Sequence, residues 1–595
     1  MSLLNRKLRR DLFGLKSQAL AVALVMACGL TMMIMTRSLI LSLETTRDDY
    51  YREYRFADVF VHLKRAPNAI ADDLAGIPGV AAVQTNIALQ ARLDISGMAA
   101  PATGLFLSLP EHGLAILNRL YLRNGRMLEG SALPGQVLTG EAFAEAHGLK
   151  PGDSLSAVLY GRRQNLKLAG IVLSPEYVFE APPGSALPDN RSYGIFWMPY
   201  KELAAAANMD GAFNQISFTL APGARQESVI ADIDRMLRPY GGRGAYGLES
   251  HPSHTRLRDE IRILQGLSVG FPLVFLSVAA FMTNAVMSRQ ITLQREQIAI
   301  LKAFGFTNRQ IGTHYLKFAL VIVLIGTGLG VLGGIFLGHR LVEMYHLFFR
   351  FPQLDFELAR GVLVAAVLVC TLAAVIGVWG AVRTAVKLPP AEAMRPELPA
   401  NFRTAIFERT RMGRSFSPSL RMALRNIERR PIRSLLTCIA LALATGILVV
   451  PSSFRDGINY VLDYQWDVIQ RQTVLATLIE PGPPQALANL RQLPGVTFAE
   501  PVRVAQAELH SGNHSRRLRI VGIPAKAILN RVIDAKNRQL VLPAHGIVLS
   551  VKLAEVLEVN PGDDLNVSIL DGRRPEFVVP VVALSEDFAG TAAYM

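Results

Sequence analysis

The stretch REQIAILKAFGFTNRQI, from Arg295 to Ile311, lies between two long apolar runs of the chain. Its first ten positions have the spacing of an amphipathic helix. Four apolar side chains fall on one arc of that helix: Ile298, Ile300, Leu301 and Phe304. Three others share the opposite side: Arg295, Ala299 and Lys302. The sequence therefore predicts a short helix with one apolar face between two segments suited to lipid.

Gly305 follows this helix directly and is a suitable C′ residue, because glycine ends helices in the left-handed conformation without strain. A helix of this kind has two ordinary interpretations. It lies on the lipid surface with its apolar face among the headgroups, or it docks in a groove of a cytoplasmic partner.

The composition is that of a membrane protein. Of the 595 residues, 50% are hydrophobic and only 18% are charged, against about 25% in soluble domains. The mean hydropathy is +0.27. A helix needs roughly 20 apolar residues to cross the hydrocarbon, and five runs are suitable. We number them TM1 to TM5: 19–43, 263–287, 313–344, 361–382 and 434–450.

The distribution of charge predicts the topology. The segment from Arg383 to Arg433 contains twelve Lys and Arg but only four Asp and Glu. Its net charge is therefore +8, and it lies between two spans. Short cytoplasmic loops hold such an excess. A nucleic-acid-binding face would interleave aromatic residues, so we expect no nucleic-acid partner. Residues 1–18 are then a cytoplasmic amphipathic leader, 288–312 and the basic linker 383–433 lie inside, and 44–262 and 451–595 lie outside.

The first outer region, 44–262, has the pattern of an α+β domain. A strand, a helix and a strand occupy residues 57–89, and a second strand and helix occupy residues 214–241. This order is typical of a split ferredoxin-like unit. Between the two halves, residues 137–172 predict a small β-rich insert.

The chain contains an internal duplication. The segment Lys16–Gly29 matches Arg433–Gly446 at an offset of 417, and GIPGV at Gly76 matches QLPGV at Gln492 at an offset of 416. The PGD sequences at residues 151 and 561 match at an offset of 410. We therefore expect 451–595 to be a second, incomplete outer domain of a longer, eight-span design.

Ten positions carry a resemblance to a known family: Arg289, Gln294, Arg295, Glu296, Ile298, Ala299, Leu301, Lys302, Ala303 and Gly305. With Gln310 and Ile311 they resemble the segment after the second span in FtsX/MacB-type permeases of ABC transporters, although Gln297 separates Glu296 from Ile298. VKLPPAEAMRPE, residues 386–397, is similar to a second motif of that family.

The resemblance implies a polytopic α-helical membrane protein whose outer domains are like the MacB periplasmic core. It also implies a place in the bacterial inner membrane, with the N-terminus in the cytoplasm. In that family the segment is the coupling helix that contacts a separate ABC ATPase. The residues implied in ATPase coupling are Arg295, Glu296, Ile298, Leu301, Lys302, Phe304 and Gly305. A periplasmic adaptor is a further partner that the resemblance suggests.

TM3 carries a glycine face. Four glycines recur at every fourth position: Gly326, Gly330, Gly334 and Gly338. Small residues at this spacing let two membrane helices approach closely. We therefore predict a helix–helix interface, with a partner helix that the sequence does not identify.

Several kinds of chemistry are missing from the sequence. It has no GxxxxGK[ST] phosphate loop, so we expect no enzyme activity and no cofactor in this chain, with ATP used by the partner. The spans lack acidic residues apart from Glu343 at the end of TM3, which argues against proton coupling. Two histidines alone do not make a metal site, so we expect His251 and His254 to have a packing role. Cys28, Cys370 and Cys438 all fall in apolar runs, so no disulfide is predicted.

The size of the first outer region favours export or the handling of lipids or lipoproteins. Regulation of a cell-wall hydrolase remains open within the same family. A protein of another class, a non-transporting signalling or scaffold protein, is the main alternative.

Overall fold

The computed structural model describes the chain apart from these residues: 1–2, 96, 99–100, 111–114, 129–133, 183–187, 359, 388, 390–416, 420–421, 423–426, 428–430, 479–481, 513, 571–573 and 588–590. Most of the predicted basic linker 383–433, with most of the 386–397 motif, therefore lies outside the described residues. The chain divides into two compact units. The first comprises Met1–Asp49, Leu257–Leu347 and Gln353–Ser452, and the second comprises Tyr50–Arg256, Phe348–Pro352 and Ser453–Met595.

Helices and strands are numbered along the chain. The first unit is helical and contains all or most of α1 Leu3–Gly14, α2 Lys16–Glu53, α7 Pro252–Leu293, α8 Arg295–Ala303, α9 Asn308–His346, α10 Arg360–Lys387 and α11 Pro431–Asp463. In the described part of the chain, α2, α7, α9 and α10 are long and apolar enough to cross a membrane. They contain the predicted TM1 to TM4. The predicted TM5 falls within α11, several of whose side chains are outside the described residues, and it stays a prediction.

The four long helices share one apolar core. Met26 of α2, Leu276 of α7, Phe318 of α9 and Cys370 of α10 are all buried in it. Ile298 of α8 belongs to the same core. The short helix is therefore packed onto the bundle by a buried side chain.

The second unit contains an antiparallel sheet with helices. Its elements are β1 Val59–Pro67, α3 Ile70–Ala75, β2 Val80–Asn86, β10 Ala212–Leu220, α6 Gln226–Leu237 and β11 Tyr246–Gly247. The strand order is β11–β1–β10–β2. Alternating buried residues of β1 and β10 pack with α6, through Val61, Ile216 and Ile233. The strand–helix pairs that the sequence predicted are present.

A seven-stranded sheet is inserted between β2 and β10. Its elements are β3 Ala88–Asp94, β4 Ala102–Ser108, β5 Tyr121–Gly125, β6 Gln136–Gly140, α4 Glu141–His147, β7 Ser154–Leu159, β8 Arg162–Leu173, β9 Tyr193–Met198 and α5 Tyr200–Ala207. The order is β5–β8–β6–β9–β4–β3–β7, and a further β7–β8 pairing closes a ring of six strands. We call β3, β4, β6, β7, β8 and β9 the first barrel.

The predicted extent of this insert, residues 137–172, is wrong. The insert runs from β3 to α5, and its outlying strands are held by parallel pairs between β4 and β9 and between β6 and β8. Parallel pairing joins strands that are distant in sequence, so local patterns did not reveal it.

The C-terminal part of the second unit is a closed six-stranded barrel, which we call the second barrel. Its elements follow α12 Pro484–Arg491 and are β12 Arg503–Ser511, β13 His514–Gly522, β14 Ile547–Ser550, α13 Val551–Leu557, β15 Asp564–Ile569, β16 Glu576–Ser585 and β17 Ala593–Tyr594. The order is β12–β13–β17–β14–β16–β15. Replacing each strand by its counterpart gives β3–β4–β9–β6–β8–β7, the order of the first barrel.

The two barrels also share a turn. Gly152 and Gly562 have φ of +105° and +104°, a conformation that glycine adopts without a steric penalty. The next residue in each case is an aspartate whose Oδ2 accepts the backbone N–H three residues earlier, over 2.7 Å for both Asp153 and Asp563. The repeated PGD sequence therefore specifies the same turn in both barrels.

Candidate functional site

Helix α8 has a buried side and an exposed side. Ile298 and Ala299 are each 1% exposed, whereas Ile300 is 47% and Phe304 81% exposed. Burial therefore does not follow the predicted division, because the predicted apolar arc is partly exposed at Ile300 and Phe304, while Ala299 of the other side is buried. Periodicity locates apolar residues on a helix, but it does not say which of them neighbouring helices cover.

The other predicted coupling residues lie at the edges of this arrangement. Lys302 donates from Nζ to the backbone oxygen of Val386 at the end of α10, over 2.8 Å. Burial lowers the pKa of its ammonium. Arg295 and Leu301 are half-buried, and Glu296 is exposed. The helix is thus joined to α10 by a polar contact as well as to the core.

Gly305 ends α8 at the position predicted for it. Its φ is +89°, and its N–H donates to Lys302 O over 3.0 Å while Phe306 N–H donates to Leu301 O over 3.1 Å. These two bonds are the Schellman arrangement. The chain reverses there, and Phe304 is left as the exposed residue at the end of the helix.

The next helix begins with a capping box that the sequence analysis did not single out. Thr307 accepts Gln310 N–H at its hydroxyl over 3.3 Å, and Gln310 accepts Thr307 N–H at Oε1 over 2.9 Å. The T-x-x-Q spacing was the available signal. The turn between α8 and α9 therefore has defined ends on both sides.

A largely buried polar cluster lies at the start of α8, and we call it the inner knot: Lys7, Asp11, Gln294, His314 and Tyr315. Gln294 Oε1 accepts Lys7 Nζ over 2.8 Å and the Tyr315 hydroxyl over 3.1 Å. Lys7 Nζ also lies 2.7 Å from Asp11 Oδ2, and His314 Nε2 lies 3.9 Å from that oxygen. The knot connects α1, the residue before α8 and the start of α9.

Asp11 is the anion of the inner knot. Burial raises the pKa of its carboxyl, but hydrogen bonds with His314 and Lys7 outweigh burial and lower the pKa to about 2. The carboxylate therefore stays ionised throughout the physiological range. Sequence reasoning missed the knot, although Lys7 and Asp11 have the i, i+4 spacing of a helical ion pair.

The glycine face of α9 meets α2. A β-carbon on Gly326 would lie 3.0 Å from Ala23 O, and one on Gly330 or Gly334 would lie 2.7 Å from the Cβ of Leu30 or Ile34. Gly338 faces Phe356 instead. Three of the four glycines thus identify α2 as the partner that the sequence left open.

Residues of the second unit give no sign of a metal site. In the described ranges, no three His, Cys, Asp or Glu side chains are grouped to hold an ion. His251 and His254 are buried, and the His251 ring lies 4.6 Å from that of Phe60. Burial lowers the pKa of His251 to about 3. These contacts are those of packed aromatic neighbours.

Comparison with known proteins identifies part of the chain. Residues 269–390 match the family model of the FtsX-like permease C-terminal domain. This range includes α8, most of α7 and all of α9 and α10. An uncharacterized ABC transporter permease protein of Mycobacterium tuberculosis is 24% identical over 212 residues, which are 36% of this chain. The match spans 23% of that relative's length.

Two solved structures are similar to part of the chain. The extracellular domain of the noncanonic ABC-type transporter YknZ from Gram-positive bacteria is 13% identical, with a TM-score of 0.22, covering 31% of this chain and 93% of that one. The periplasmic region of MacB from Actinobacillus actinomycetemcomitans is 11% identical, with a TM-score of 0.23, covering 36% and 95%. The predicted family resemblance is confirmed by the family model and the mycobacterial relative.

Proposed function

We propose, starting from the FtsX-like permease domain at residues 269–390, that this chain is the membrane subunit of a bacterial ABC transporter. It couples ATP hydrolysis by a separate ATPase to movement of its outer domains. Helix α8 is the coupling helix, and the ATPase binds its exposed side. The chain itself holds no nucleotide in this scheme.

The observation that carries this proposal is the two-sided character of α8. Ile300 and Phe304 are exposed, and Arg295 and Glu296 provide charges on the first turn. Exposed apolar side chains beside charged groups are suited to binding in a groove of a protein partner. The opposite side is fixed by Ile298 in the bundle core, so a force on Phe304 acts on the bundle.

The route outward starts in that core. Ile298 shares it with residues of α2 and α7, such as Met26 and Leu276. Helix α2 continues to Glu53 and α7 starts at Pro252, both beyond the outer limits predicted for TM1 and TM2. These two helices pass the motion of α8 toward the outer region.

The proposal extends to the origin of the outer domains. The shared strand order and PGD turn support an internal duplication that produced the two barrels. The order β11–β1–β10–β2, with α3 and α6, supports the assignment of a ferredoxin-like unit next to the first barrel. The protein lies in the inner membrane with α1 in the cytoplasm, it exports a substrate or handles lipids or lipoproteins, and a periplasmic adaptor assists it.

Substitution of the exposed Phe304 tests the proposed function. Phe304→Asp places a charge on the coupling surface, and Phe13→Asp is a matched control because Phe13 is 68% exposed on α1. We expect Phe304→Asp to lower both co-purification of an ABC ATPase and its stimulated hydrolysis at least tenfold, with Phe13→Asp unchanged. Equal behaviour of the two variants, at wild-type level, would contradict the coupling role.

A further inference from the structure

Five residues between α9 and α10 pack as part of the second unit, although both helices belong to the first. This segment is Phe348–Pro352. Phe351 is fully buried, and Phe349 and Arg350 are buried as well. A hairpin of two membrane helices needs only a short solvated loop, so the burial of three successive residues, Phe349 to Phe351, requires an explanation.

The backbone of the segment is held from two sides. Arg350 N–H donates to Val178 O over 2.7 Å. Arg123 of β5 donates from Nη1 to Pro352 O over 2.8 Å and from Nη2 to Phe351 O over 3.0 Å. The guanidinium of Arg123 therefore donates to two successive backbone carbonyl groups. These bonds fix the orientation of the segment's backbone.

The same arginines bind helix α4, which follows β6 of the first barrel. Arg123 Nε lies 2.6 Å from Glu141 Oε1. Arg350 Nη1 lies 2.6 Å from Glu145 Oε2 and 3.6 Å from Glu141 Oε2. The two 2.6 Å contacts are charge-assisted hydrogen bonds, which are stronger than neutral ones. Segment and α4 are joined by two guanidinium groups and two carboxylates.

Aromatic contacts complete the attachment. The ring of Phe349 lies 5.6 Å from that of Phe179, and the ring of Phe351 lies 6.1 Å from that of Tyr50, edge to face. Offset and edge-to-face pairs add specific geometry to apolar burial. Phe349 and Phe351 lie directly before and after Arg350 in the chain.

A third carboxyl, Glu180, faces Arg350. Burial raises the pKa of Glu180 to about 8, with Glu141 adding to the rise and Arg350 opposing it. At neutral pH this group is mostly protonated, so the two arginines are balanced by Glu141 and Glu145 alone.

We propose that Phe348–Pro352, held by Arg123 and Arg350 against α4, is an outer latch that carries motion of TM3 and TM4 into the first barrel. Arg123 and Arg350 are positioning residues for the coupling. The inference rests on the proposed function, and it adds a route to the one through α2 and α7.

Geometry favours transmission over simple loop stability. A buried ion pair is weak evidence for stability, since apolar side chains of similar volume often stabilise as well, and its best-attested use is to fix one register. Here the fixed register is that of the α9–α10 connection on α4. A link of this kind resists both pulling and sliding.

Hydrogen–deuterium exchange of the full chain with its co-purified ATPase in nanodiscs tests the latch. We compare exchange with and without ATP plus vanadate in α8 and in α4, for wild type, Arg350→Gln, Arg123→Gln and Arg350→Lys. Arg340→Gln is the matched control, because Arg340 forms an exposed pair with Glu343 on α9. Exchange in β9 reports whether each variant is folded.

In the wild type we expect nucleotide to change exchange at least twofold in both α8 and α4. We expect Arg350→Gln and Arg123→Gln to keep the nucleotide response of α8 but to lose more than half of the response of α4. Arg350→Lys should recover part of the α4 response. Arg340→Gln should match the wild type in both helices. A full response of α4 in both glutamine variants, or no response of wild-type α4 when α8 responds, overturns the latch. Absence of an ATPase or of any α8 response overturns the proposed function itself.

Discussion

Nζ of Lys7 lies 2.8 Å from Oε1 of Gln294, so the N-terminal helix α1 is hydrogen-bonded to the residue that precedes α8. Tyr315 donates to the same oxygen from α9. Three segments distant in sequence thus meet at one amide side chain. These contacts join α1 and the start of α9 to the residue that precedes α8.

Removal of the anion of the inner knot should release α1. Asp11→Ala leaves Lys7 without its carboxylate partner. Loss of one partner of a buried pair costs about 3 kcal/mol of stability. Because this site is partly exposed, we expect the contact of α1 to lose about 1–2 kcal/mol. We expect trypsin to cleave α1 about tenfold faster, since 1.4 kcal/mol is a factor of ten in the open population. Glu343→Ala, which removes an exposed pair on α9, should leave the cleavage rate unchanged, and equal rates for wild type and Asp11→Ala would refute the knot.

The interface of α9 with α2 should not tolerate a large side chain at Gly334. A β-carbon there would already lie 2.7 Å from Ile34 Cβ, and overpacking of this kind costs about 1–3 kcal/mol. We expect Gly334→Leu to lower the apparent unfolding temperature in detergent. Gly328→Leu on the same helix is the control, because a β-carbon at Gly328 meets nothing within 4 Å, and the glycine-face interpretation fails if both variants melt together.

Two buried carboxyls should make the second unit less stable as pH rises. Burial raises the pKa of Glu180 to about 8 and that of Glu176 to about 7, against hydrogen bonds from Tyr177, Gln215 and Asn118. Between the ordinary glutamate pKa and these values the folded state holds protons that the unfolded chain has released. Stability therefore falls as pH rises through that window.

Glutamine variants separate the two contributions. We expect Glu180→Gln to remove the loss of stability between about pH 4.5 and 8, with a gain over wild type at pH 8 on the order of 4 kcal/mol at most. Glu176→Gln should remove a similar loss that is complete by about pH 7. Exchange protection of β9 as a function of pH measures both, and a wild-type profile in Glu180→Gln would show that its carboxyl is ionised in the folded protein.

The membrane part of the fold could be predicted from sequence because a span has a strong local signal. Predicted TM1 to TM4 all fall within helices of the structure, since roughly 20 apolar residues leave few alternatives. The ends were less predictable, because α2 and α7 continue with polar residues as ordinary helices. The C′ role of Gly305 was equally local, and its φ of +89° agrees with it.

Contacts between distant segments escaped prediction. The parallel pairing of β4 with β9, the partner of the glycine face and the inner knot each join residues that no local pattern connects. Arg123 and Arg350 are 227 positions apart, and each is an ordinary loop or strand arginine by sequence alone. The pattern of α8 located its apolar residues, and only the packing of Ile298 and Ala299 decided which side is exposed.

Photocrosslinking from position 304 most directly tests the central claim, which is that an ABC ATPase binds the exposed side of α8. A photoreactive phenylalanine analogue replaces Phe304, 81% exposed, or Phe13 as the control, 68% exposed, in cells that express the full chain. The account predicts that position 304 forms an adduct whose peptides, identified by mass spectrometry, come from an ABC ATPase with a phosphate-binding loop, and that position 13 does not. Absence of an ATPase adduct from position 304, with the protein folded and the analogue incorporated, would contradict it.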